Sequence, residues 1–357
     1  LMPATTLKKL ISLAREGATV AFVEQYPEDV PGYSQLRQNR KAFSAVCADL
    51  PQADSFDKTQ CFDFGKGRII IGSDYHQVLD ATGTPAEEIK TRYGLQFIRR
   101  TNPDGHHYFV SCLQKQDVNG WATLNVADTA AMLFDPMTGE KGMAQTRTKD
   151  GKLQVRLQLK SGESLIVQTF REKPEGQSAW KYGSEQAYSL SLDHGWKLAF
   201  TESHPSIEGE FDIDTPMSWT EIDHPNATIN MGTARYTVTI DMPQLKADDW
   251  ILDLGDVRES ARVRINGHEA GTVWAVPFRL KIGKWLKPGK NTLEVEVTNL
   301  PSNRIADMDR KGEQWRIFKE INMVKLNYEK GDYSHLQPMP AGLNSCVKLI
   351  PVNYDKL

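Results

Sequence analysis

The dipeptide Asn266-Gly267 stands between two runs of alternating apolar and polar residues, and that placement restricts the fold more than any other feature of the sequence. Upstream, Ala261, Val263 and Ile265 alternate with Arg262 and Arg264, the period of a half-buried strand whose successive side chains point to opposite faces. A two-residue type I′ turn needs positive φ at both central positions, which Asn tolerates and Gly adopts freely, so the chain reverses here. Val273, Phe278 and Leu280 are expected to continue the sheet, and Lys287-Pro288-Gly289-Lys290 to make a second hairpin turn. Leu293, Val295 and Val297, alternating with Glu294 and Glu296, then return as another strand. This region is antiparallel β.

At 357 residues the chain is long enough for two or three domains, each with its own core. A net charge of -3 leaves no basic excess, so nucleic acid is not an expected partner. No apolar run approaches the roughly 20 residues that span a bilayer, so no membrane partner is expected. The opening LMPATTLKKLISLAREG lacks the apolar core of a signal peptide and instead sets Leu7, Leu10, Ile11 and Ala14 on one helical face. Since it begins with Leu and enters a helix at once, the chain is expected to be a piece of a longer polypeptide. Cys47, Cys61, Cys112 and Cys346 show no C-x-x-C spacing, which argues against zinc; buried free thiols are expected in preference to a disulfide framework.

Residues 1–105 alternate helix and strand: a helix to Gly17, a strand in ATVAFVE, a helix over 34–49, a strand over 68–72 and short helices around 75–92. They are expected to form a partial α/β domain on a parallel sheet, incomplete at its N-terminus. Residues 106–180 read as an antiparallel β domain in which Leu153, Val155, Leu157 and Leu159 alternate with Gln154, Arg156, Gln158 and Lys160, a meander with one wet face. After the polar linker REKPEGQSAW, residues 187–357 are expected to form a β-sandwich. The fold class is thus mixed and multidomain.

Catalytic motifs are scarce. G-x-S-x-G and H-E-x-x-H are absent, and Phe64-Gly65-Lys66-Gly67-Arg68 precedes its strand, so it reads as a turn before it reads as a phosphate loop. His106 and His107 are adjacent in a strand and point to opposite faces. Asp307, Asp309, Glu313 and Glu320 cluster as the paired carboxylates of a glycosidase would, but a solvated loop and helix face explains them at less cost. Trp274, Trp285, Trp315, Tyr328 and Tyr333 fall near Asn303, Arg304, Asp307 and His335. A sugar presents apolar C–H faces and a rim of hydroxyls, so aromatic platforms flanked by Arg and carboxylates suit it, although sandwich core is the commoner fate of any one tryptophan.

Residues 253–305 contain V-x-x-x-A-x-V-x-I-N-G, G-x-x-W-x-x-P-F and K-x-G-x-N-x-L-E-V-x-V-x-N in order. This resembles the sugar-binding, galactose-binding-like jelly roll of family 2 glycoside hydrolases. GATVAFVEQYPEDVPG, FGKGRIIIG, LQFIRRTNPDGHHYFV, LKSGESLIV and MPAGLNSCVKLIPV extend the resemblance to the C-terminal part of family 106 α-L-rhamnosidase-like enzymes. The closing A-G-L-N-S-C-V at 341–347 departs from that family's S-G-L-x-G-P-V. The resemblance implies that the catalytic carboxylates lie on an upstream (β/α)8 barrel, which takes about 250 residues that this chain does not supply. No catalytic residue is therefore assigned. It also implies a plant or pectic carbohydrate partner, a periplasmic or secreted location, and at most a structural calcium for which no ligand loop identifies itself. The residues expected to bind carbohydrate or face a cleft are Trp274, Arg304, Asp307, Trp315, Tyr333 and His335. A stand-alone lectin and a small enzyme using the 307–320 carboxylates are the other readings.

Overall fold

In the computed structural model, which describes residues 1–53, 58–84, 86–316 and 331–356, the first helix follows its sequence spacing. Helix α1 (Ala4–Glu16) buries Leu7, Ile11 and Ala14, leaves Leu10 at the edge of that stripe, and ends where Gly17 takes a φ of 124°. Residues 1–91 and 92–357 form two compact units. The first also contains β1 (Thr19–Val23), α2 (Leu36–Cys47), β2 (Gln60–Phe64), β3 (Gly67–Gly72), α3 (Tyr75–Ala81) and α4 (Glu88–Thr91). Its sheet has the order β1-β3-β2, with β1 parallel and β2 antiparallel to β3, so it is mixed where a parallel sheet was expected. The unanticipated strand, β2, is an edge strand whose Cys61 and Asp63 are exposed and whose phenylalanines are half-buried, which hides it from an apolar count. Gly65 and Lys66 make the β2–β3 turn, as expected of a simple turn. A Cβ on Gly67 would lie 2.1 Å from the Ala18 carbonyl oxygen and 2.4 Å from that of Ala14, so the glycines allow close packing on the end of α1.

The second unit opens with β4 (Gln96–Asn102), β5 (Gly105–Ser111), β6 (Val118–Thr123), β7 (Ala130–Phe134), β8 (Lys141–Met143), β9 (Thr146–Lys149), β10 (Lys152–Leu159) and β11 (Ser164–Phe170). These make the sheets β4-β5-β11-β7-β8 and β6-β10-β9. Leu153, Val155, Leu157 and Leu159 are buried as the alternation requires, but the other face of β10 is not wet. Gln154 is buried and bonded to Arg147 and Thr123; Arg156 stacks on Tyr182 and pairs with Asp355; Gln158 exchanges hydrogen bonds with the backbone of Gly183. Long-range cover from residues 182–183 and 355 dries that face, and local periodicity carries no trace of it. His106 bonds Asp128 while His107 bonds Asn102, consistent with their opposite directions.

The remaining strands are β12 (Gly183–Glu185), β13 (Leu190–Leu192), β14 (Trp196–His204), β15 (Glu210–Ile213), β16 (Met231–Met242), β17 (Asp249–Asp253), β18 (Val257–Arg258), β19 (Ser260–Ile265), β20 (His268–Val273), β21 (Arg279–Lys281), β22 (Gly289–Thr298), β23 (Gly342–Leu343) and β24 (Val347–Tyr354), with α5 (Ser302–Arg310) between β22 and β23. They form a six-stranded sheet, β15-β14-β16-β22-β19-β20, and a second sheet, β12-β24-β17-β21, in which β13 also pairs with β24. Between them lies one apolar core that includes Trp196, Trp219 and Trp250, so three tryptophans are structural.

Asn266 and Gly267 have φ of 52° and 80° and close the β19–β20 hairpin as expected. The second expected hairpin is absent. After Val273 the chain leaves its sheet, and β21 pairs with β17 in the other one, so residues 274–288 are a crossover between layers. The side chains of Asn266 and the buried Asn291 meet at 2.8 Å, and Asn291 also bonds the backbone of Lys287 and Gly289, which fixes the turn before β22. All four cysteines are free, but only Cys112 is buried; Cys61 and Cys346 are exposed.

Candidate functional site

The segment after β22 starts as α5, entered through Pro301, and its buried residues Asn303, Ala306 and Asp307 follow helical spacing. It leaves the end of the six-stranded sheet where β22 finishes and contacts β16. Asp307 accepts from Arg304 at 2.6 Å and from Lys311 at 2.8 Å, and the other end of the Arg304 guanidinium reaches Glu313 at 3.1 Å. The carboxylate face expected to be solvated is in part buried and charge-paired.

Asp309 does a different job. One oxygen accepts from the Trp315 indole at 2.7 Å and the other from the Tyr333 backbone N–H at 2.9 Å, drawing together residues far apart in sequence. The Trp315 and Tyr333 rings lie 6.3 Å apart at 42°, and the Arg316 guanidinium sits over both, 4.8 Å from the first centroid and 5.7 Å from the second. Arg310 ties α5 to the carbonyls of Ser334 and Leu336, and His335 is exposed between them. Arg304, Trp315, Tyr333 and His335 thus belong to one surface organised by α5, with the buried Asp307 beneath it. Arg316 and the positioning role of Asp309 were missed by sequence reasoning; an Arg directly after a Trp was the only available hint. Glu320 and Tyr328 lie outside the described residues.

Trp274 is not part of that surface. It is 66% exposed on the crossover after β20, at the rim of a groove of about 740 Å³ between the sheets of residues 96–170 and the jelly roll. Across the groove runs a ladder of alternating charge: Asp117 to Lys160 at 3.0 Å, Lys160 to Glu185 at 3.0 Å, Glu185 to Arg279 at 3.1 Å and Arg279 to Asp253 at 3.2 Å. Burial pulls the Glu185 carboxyl upward, but hydrogen bonds from Arg279 and Lys160 outweigh it and hold the group below its ordinary value. Beside the ladder, burial pushes Glu163 above the usual carboxylate range, although one of its oxygens accepts the Lys160 N–H at 2.7 Å.

General acid–base hydrolysis of a glycoside needs two carboxyl groups with separated roles. Asp307 is held by two cations and Asp309 by two N–H groups, so both carboxylates are engaged in holding this segment together. Among the described residues no group of three or more His, Cys, Asp or Glu could hold a metal ion, and no helix is long and apolar enough to cross a membrane.

The α/β segment and the jelly roll are each similar to parts of glycoside hydrolases. Residues 1–147 match the family 106 α-L-rhamnosidase model, and residues 215–342 match the galactose-binding domain-like model of glycosyl hydrolase family 2, so the chain carries both modules in sequence. Among solved structures, the rhamnosidase of Novosphingobium sp. PP1Y is similar over 98% of this chain, with a TM-score of 0.67 and 25% identity, and the chain covers 32% of it. A Formosa agariphila protein provisionally named a beta-glucuronidase is 32% identical over 200 residues, which are 47% of this chain and 17% of that protein. The chain therefore spans a third or less of the length of either relative.

Proposed function

We propose that this chain is the accessory, carbohydrate-facing part of a larger α-L-rhamnosidase-like glycoside hydrolase, one that buttresses an upstream catalytic barrel and works on a plant or pectic polysaccharide in the periplasm or outside the cell. The observation that carries this reading is the asymmetry of coverage: nearly all of this chain, but only 32% of the Novosphingobium rhamnosidase, takes part in the match. The engaged state of Asp307 and Asp309 supports it, since both carboxylates are consumed in positioning. The surface of Arg304, Trp315, Arg316 and Tyr333 then forms one wall of the substrate cleft, where ring faces stack on pyranose C–H groups. One wall offers few contacts, so the chain alone should bind pectic oligosaccharides through this surface with a dissociation constant on the order of millimolar. Titration calorimetry checks this, and micromolar binding abolished by Trp315→Ala would instead make the chain an independent lectin.

A further inference from the structure

The groove beside Trp274 shares no residue with the α5 surface. At about 740 Å³ it falls within the roughly 300–1,000 Å³ of small-molecule sites and combines apolar walls with a few convergent polar groups. From one side it receives Trp274, 66% exposed, and Val276, 61% exposed; from the other, Phe109, 45% exposed on the outward face of β5. Large apolar side chains left open on both sides of a concave, polar-floored surface are what a ligand with C–H faces and hydroxyls requires.

The floor narrows the class. Its lining carries five carboxylates against four cations; three of those cations are ion-paired with carboxylates and the fourth, Lys181, lies over the Tyr354 ring, so a net negative lining disfavours a uronate or phosphate. Glu163 stands outside these ion pairs. Only one of its carboxylate oxygens has a hydrogen-bond partner among the described residues, the Lys160 N–H. Burial pushes its carboxyl above the usual range, and its second oxygen is open to a ligand hydroxyl.

We propose that this groove is a binding site for a neutral oligosaccharide, stacked on Trp274 and Phe109 and hydrogen-bonded to Glu163. It goes beyond the cleft-wall reading, because it is a second site that needs no upstream barrel.

The test is titration of the whole chain with neutral galacto-, arabino- and rhamno-oligosaccharides and with trigalacturonate, followed by calorimetry and tryptophan emission. At least one neutral sugar should bind saturably and trigalacturonate more weakly, and Trp274→Ala and Phe109→Ser should each weaken the neutral sugar about tenfold or more. Both side chains are exposed, so neither change threatens folding, and an unaltered thermal midpoint verifies that. Absence of binding by every neutral sugar, or preference for trigalacturonate, overturns the proposal. Binding removed by Trp315→Ala but not by Trp274→Ala also overturns it, while leaving the cleft wall standing.

Discussion

Replacing Gly267 by Val isolates the energetic cost of the turn on which the jelly-roll hairpin depends. Gly267 has a φ of 80°, and a Cβ built there meets nothing within 4 Å, so a substitution causes no clash and its cost is conformational. An L-residue in the left-handed region pays about 1–2 kcal/mol, with β-branched Val at the upper end. Val also stiffens the unfolded chain, which offsets roughly 0.5 kcal/mol of that cost. The net loss is about 1 kcal/mol or slightly more, equivalent to a fall of about 2–4 °C in Tm for a unit of this size. All eight tryptophans lie between residues 121 and 315, inside the second unit, so fluorescence-detected unfolding of the whole chain reports on that unit alone. Gly267→Ala should fall between wild type and Val. A Val variant whose midpoint equals or exceeds wild type would show that the turn does not hold positive φ in solution, and the register of β19 and β20 would have to be redrawn.

Other perturbations probe the groove and the crossover. Asn291→Ala removes a buried side chain that bonds Asn266, Lys287 and Gly289, and should cost about 2–3 kcal/mol in chemical denaturation. Arg279→Ala removes a largely buried guanidinium that pairs with Glu185 and Asp253, for a loss of about 1–2 kcal/mol at pH 7. Because the folded Glu185 is held below its ordinary value, its contribution is present above the unfolded pKa of about 4.3 and is lost as pH falls through the folded one, so the deficit of Arg279→Ala should shrink below about pH 4. Glu163 has the opposite sign: its folded pKa is raised, so ionising it penalises the fold at neutral pH, and the penalty fades as pH falls through that folded value. Glu163→Gln keeps an acceptor for the Lys160 N–H and should raise the unfolding midpoint at pH 7 but not at pH 4.

Local chemistry made much of this architecture readable, and long-range cover hid the rest. Period-two runs and Asn-Gly located β19, β20 and β22, because strand alternation and positive φ are decided by neighbours in sequence. The crossover through 274–288 escaped the same logic, since a strand's alternation does not say which of two sheets it joins. Gln154 and Arg156 looked solvent-facing for a similar reason: the Thr123 hydroxyl that bonds the first and the Tyr182 ring under the second come from residues distant in sequence. Of the candidate site, Arg304, Asp307, Trp315 and Tyr333 were legible only as polar and aromatic residues close together in sequence; the i, i+3 pairing of Arg304 with Asp307 on α5 was not. That Asp309 joins those two rings, and that Trp274 belongs to a separate groove, depends on where α5 and the crossover lie in space.

The central claim, that the chain supports carbohydrate cleavage without performing it, is tested most directly by following aryl α-L-rhamnoside hydrolysis by the purified chain. The account predicts turnover indistinguishable from the uncatalysed rate, unchanged by Asp307→Ala or Glu313→Ala. Turnover above that rate which either substitution abolishes would contradict it and place the catalytic carboxylates on α5 and the segment that follows.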